Sequence, residues 1–116
     1  MSEENTTEEN AFGYTLFAIL AAPRPRPAVD QPHLDQLTES IGGLAEGVTL
    51  RGLYDITGMR GDADLMVWLH GEDPADLQAA LRALRRTTLL ADFTCPWSAM
   101  GVHREAEFNK RHVPGY

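Results

Sequence analysis

Residues 48–86 read VTLRGLYDITGMRGDADLMVWLHGEDPADLQAALRALRR, and the fold follows from how this stretch divides. Residues 48–56 alternate well enough for a strand, with Val48, Leu50 and Tyr54 on one face and Thr49, Arg51, Leu53 and Asp55 on the other. Residues 57–62 (TGMRGD) carry turn chemistry, and residues 63–70 (ADLMVWLH) form the next strand, which predicts a hairpin. A helix start follows directly. Asp73 can cap it, Pro74 suits the first helical position, and Asp76 complements the positive helix end. Leu77, Ala80, Leu81 and Leu84 then make one apolar stripe, while Arg82, Arg85 and Arg86 stand at the negative end.

Upstream, residues 12–20 (FGYTLFAIL) predict a strand buried on both faces. Pro23, Pro25 and Pro27 alternate with arginines and read as an extended connector, favoured over an SH3-type ligand. Asp30 and Pro32 open a second helix, whose Leu34, Leu37, Ile41 and Leu44 form its apolar face. Gly42 and Gly43 weaken its last turn, and Gly47 is expected to end it. Downstream, residues 95–104 form the last strand. The order strand, helix, strand, strand, helix, strand predicts an α+β, ferredoxin-like βαββαβ domain, an antiparallel sheet with both helices on one face. Its other face then has no cover, which calls for a second sheet. We expect a disordered acidic tail over residues 1–11, the domain over 12–104, and a polar segment over 105–116.

Composition narrows the function. The chain has 116 residues, with ten Lys+Arg against seventeen Asp+Glu, a net charge of −7. That balance argues against a nucleic-acid surface, which needs a cationic stripe, and against anionic lipid. The single cysteine, Cys95, cannot form an internal disulfide, and the longest apolar run, residues 16–22, is too short to span a membrane. The expectation is a cytoplasmic protein. His33, His70, His103 and His112 show no metal-ligand spacing. His112 is flanked by Lys110 and Arg111, and neighbouring positive charge favours the neutral imidazole that a base needs. Trp68 and Trp97 read as sheet core, and Cys95 as a small buried apolar residue. Asp55, Asp62 and Asp64 crowd one hairpin, where turn geometry accounts for them more simply than a divalent ion does.

Two gap-free stretches carry a family resemblance: LRGLYDITGMRGDADLM at residues 50–66 and SAMGVHREAEFNKRHVP at residues 98–114. They resemble the chlorite-dismutase-like family, and within it the actinobacterial coproheme decarboxylases, which complete haem by peroxide-dependent loss of two propionate carboxyls. The resemblance implies two ferredoxin-like halves with sheets packed together, assembled as homo-oligomeric rings, often pentamers. It makes this chain the counterpart of the N-terminal half, with residues 105–116 starting the inter-domain connector. The iron coproporphyrin or haem, its proximal histidine and the radical tyrosine would then belong mainly to the second half. His112 matches the distal base that takes a proton from hydrogen peroxide. By nearness to it in sequence, Asn109, Lys110 and Arg111 are expected beside the cofactor's carboxylates. The alternative is a free-standing half-domain that dimerises and binds porphyrin, or serves assembly, without catalysis.

Overall fold

The computed structural model describes residues 12–26 and 28–104. The elements run β1 (Phe12–Ala21), α1 (Gln31–Gly42), β2 (Val48–Asp55), β3 (Leu65–Gly71), α2 (Pro74–Arg85) and β4 (Thr94–Arg104). Every neighbouring pair of strands is antiparallel, in the sheet order β2-β3-β1-β4. This is the ferredoxin-like α+β fold read from the sequence.

Both helices start where capping chemistry places them. The Asp30 carboxylate accepts from His33 N, and the Asp73 carboxylate accepts from Ala75 N, each with a proline in the first turn. Such contacts satisfy backbone donors that have no partner inside the helix. Helix α1 ends at Gly42, several residues before Gly47. The Gly43 N–H closes it by donating to the carbonyls of Glu39 and Ser40, because a glycine pair is a poor continuation of a helix. Its buried stripe is also narrower than expected. Leu37 is buried and Ile41 and Leu44 pack partly, whereas Leu34 stays 39% exposed. At about 100° per residue Leu34 lies at one margin of the arc those four leucine and isoleucine positions cover.

The core lies between the helices and one sheet face. Leu16, Ala18 and Leu20 from β1 meet Val67 and Leu69 from β3, with Leu37, Leu77, Ala80, Leu84 and Leu90 packed on them. Strand β2 departs from the expected alternation. Its pairing with β3 slips between Leu50 and Gly52, so Arg51 and Gly52 together stand against Trp68. This bulge inserts one residue and reverses the faces beyond it. Leu53 therefore joins Val48 and Leu50 on the core side, and Tyr54 turns to the other side, 39% exposed. Strand β3 starts at Leu65, leaving Ala63 and Asp64 to the hairpin's closing turn. Strand β1 is not buried evenly: Thr15 and Phe17 on its second face are only half-buried.

Candidate functional site

The sheet face opposite the helices carries most of the unexplained side chains. On β1 they are Phe17 and Ile19, on β3 Met66, Trp68 and His70, and on β4 Trp97 and His103, as the strand registers require. Phe17 and Trp68 stack with ring centroids 5.4 Å apart and planes 23° apart. The guanidinium of Arg51, which the alternation of β2 places on this face, lies 4.9 Å from the Trp68 ring centroid. That is cation–π distance. The indole Nε1 of Trp68 is buried and finds no acceptor among the described residues. Trp97 is 47% exposed. The tryptophans expected in the sheet core thus line its open face instead, because one face of the sheet was enough to accommodate both helices.

At one end of this face His70 and His103 stack, with centroids 5.6 Å apart and planes 12° apart. They belong to β3 and β4, which flank β1, and the strand between them passes as Gly13, the residue paired with His103. A Cβ at Gly13 would sit 2.7 Å from His103 Nε2, so the absence of a side chain makes room for the imidazole. Residues 70 and 103 look unrelated in sequence. Only the strand order brings them together, so the sequence carried no signal for this pair.

A second cluster closes the far end of the sheet. The Asp64 residue is 7% exposed, and its carboxylate accepts from Ala22 N at 2.8 Å, from Arg24 Nη2 at 3.5 Å and from the Arg26 guanidinium. The Thr57 hydroxyl approaches it at 3.5 Å. The Ala22 N–H first, then the two arginines, hold the Asp64 carboxyl below the usual carboxylate range against the opposing effect of burial. Asp55 is lowered by accepting from Thr57 N, at 2.9 Å. Arg60 donates to Asp62 through Nε and Nη2 at 2.8 and 2.9 Å, which lowers the acid and raises the base. The three hairpin carboxylates are therefore engaged by backbone and arginine. Among the described residues no group of three or more His, Cys, Asp or Glu is placed to hold a metal ion. Cys95 is half-buried, with its thiol donating toward the Trp97 carbonyl at 3.4 Å.

The residues singled out for catalysis and cofactor contact, His112, Asn109, Lys110 and Arg111, lie outside the described residues, as does the acidic segment 1–11. The last described residue, Arg104, ends β4 one position beyond His103.

The family model for chlorite dismutase matches residues 30–116. The chain belongs to the chlorite dismutase family. It is 47% identical over 108 residues to coproheme decarboxylase of Mycolicibacterium smegmatis, covering 89% of this chain and 46% of that protein. A mutant chlorite dismutase from Candidatus Nitrospira defluvii superposes with a TM-score of 0.68 at 20% identity, over 90% of this chain and 49% of the other. The same organism's enzyme in complex with imidazole gives a TM-score of 0.67 at 20% identity, over 100% and 53%. These structural matches establish the fold. The chain spans about half the length of the proteins it matches. Among the described residues no helix is long and apolar enough to cross a membrane.

Proposed function

We propose that this chain acts as the N-terminal half of a coproheme decarboxylase, in a peroxide-dependent oxidation of iron coproporphyrin to haem b. The 47% identity to a coproheme decarboxylase, over nearly the whole chain but under half of that enzyme, carries the reading. In the overall change each of two propionate arms loses its carboxylate as carbon dioxide together with a proton and two electrons, leaving a vinyl group, and each pair of electrons reduces one hydrogen peroxide to two waters.

The described residues do not by themselves enclose a tetrapyrrole. Their concavities lie on the helix side or along α2, and the open face is one wall without its opposite. No step is therefore assigned to the cofactor within this chain. What the chain supplies is an aromatic sheet surface and, after β4 in sequence, segment 105–116. On that segment His112 accepts the proton of incoming hydrogen peroxide, general-base work typically worth about 10²–10⁴ in rate. Asn109, Lys110 and Arg111 lie near the substrate's carboxylates, where the Lys110 and Arg111 cations offset negative charge. The proximal iron ligand and the radical tyrosine come from a second ferredoxin-like half, and the joined halves form a homo-oligomer.

The test is a titration with iron coproporphyrin followed by the Soret band, on the chain alone and with a second half. The reading predicts no saturable shift alone, but binding and peroxide-dependent propionate loss with the second half. His112→Ala in the joined protein should leave the Soret titration intact and slow propionate loss by about 10²-fold or more. A saturable shift with the chain alone would point to the alternative, a half-domain that binds porphyrin without turnover. Full activity of the alanine variant would remove His112 from the reaction.

A further inference from the structure

The helix side of the sheet holds a second candidate site, remote from the open face. A cavity of about 270 Å³ opens between α1, the base of the β2–β3 hairpin and the turn before β4. Its floor is apolar, built from Leu37, Leu53, Leu65, Leu90 and Phe93. Leu37 and Leu90 are core residues, 9% and 2% exposed, so the floor is fixed by the packing of the whole domain.

The rim is charged and nearly balanced. Arg26, Asp55, Thr57 and Asp64 all border the opening. Asp64 is taken up by Ala22 N, Arg24 and Arg26. Arg26 reaches it through Nη2, one of the guanidinium's several donors, and its side chain is half exposed. Asp55 is exposed and accepts from Thr57 N, and it forms no ion pair among the described residues. Hence the opening offers one carboxylate and one guanidinium above an apolar floor. A simple fatty acid would satisfy the arginine but place its charge near Asp55. A simple amine would do the reverse. A ligand that answers both carries an ammonium and a carboxylate on one apolar body.

We propose that this cavity binds a small apolar α-amino acid of the leucine or phenylalanine type. The side chain lies on the leucine floor, the ammonium on Asp55 and the carboxylate on Arg26. A concave apolar site with a few convergent polar groups is the usual form of a small-molecule site. This one is too small for a tetrapyrrole and stands apart from the haem reading, which rests on the opposite face and on segment 105–116.

The experiment is a calorimetric titration of the full 116-residue chain, with L-leucine, L-phenylalanine, glycine and octanoate as separate probes. The titration is run on whatever assembly the chain forms. Leucine and phenylalanine should bind saturably. Glycine, which has no apolar body to bury, should bind at least about tenfold more weakly. Asp55→Asn should weaken both amino acids about tenfold and leave any octanoate binding unreduced, with a single cooperative melt certifying the fold. No saturable heat with leucine or phenylalanine at millimolar concentration would overturn the proposal. So would octanoate and leucine binding equally, with neither affected by Asp55→Asn.

Discussion

Asp64 joins three parts of the chain that are far apart in sequence. Its backbone N–H donates to Leu20 O and its carbonyl accepts from Ile56 N, while its carboxylate holds Ala22 and the two arginines of the Arg-Pro segment. The folded carboxyl is held below its usual value, which in an unfolded chain is about 3.9. A depressed folded pKa makes this contribution to stability complete above that unfolded value. It is lost as pH falls through the lower folded pKa. The melting temperature should therefore change little from Asp64's titration between pH 7 and 5 and fall below about pH 4. Asp64→Asn should be less stable at neutral pH and show a shallower acid decline, because this group no longer titrates, but not a flat one, because Asp55 and Asp62 are lowered too. Thermal melts of both proteins from pH 7 to 3 test this. Parallel acid profiles would mean that Asp64 is not a source of the decline.

At the scale of elements, the close approach of Gly71 to the loop before β2 is a sensitive point. A Cβ there would lie 2.8 Å from Gly47 O, a backbone atom, and 3.2 Å from Leu77 Cδ2. Gly71 pairs with both Tyr14 and Val48, so neither neighbouring strand can move alone. Gly71→Ala should cost about 1–3 kcal/mol, the usual range for overpacking, as read from urea unfolding. An unchanged midpoint would show that the loop yields freely. Element order and type were legible because they rest on local signals: proline after aspartate at each helix start, and apolar spacing along each helix. The bulge was not legible. Nothing local in LRGLYD distinguishes a regular strand from one with an extra residue, since the difference lies in pairing with Trp68. That single residue moved Leu53 into the core and turned Tyr54 to the open face, whereas Arg51, which precedes the reversal, keeps the face its alternation predicts. The His70–His103 stack was hidden for the same reason, being a product of strand order. Family membership was legible from the two long motifs, whereas His112, Asn109, Lys110 and Arg111 stand as proposed site residues beyond the described chain.

For the whole molecule, one fact organises the rest: two helices cover one side of a four-stranded sheet and nothing described covers the other. That open side holds Phe17, Met66, Trp68 and Trp97 around Ile19, itself only 6% exposed, with a buried indole N–H lacking an acceptor among the described residues. Large contiguous apolar patches on soluble proteins usually mark an interaction surface. The relative of 47% identity carries as much chain again as this one, enough for a second sheet. Our account therefore makes the open face an interface, met by a second ferredoxin-like half or, in its absence, by another copy. Sedimentation of the isolated chain at micromolar concentration tests this most directly. We predict a species larger than the 12.8 kDa monomer. A monomer that unfolds in a single cooperative melt would contradict the account.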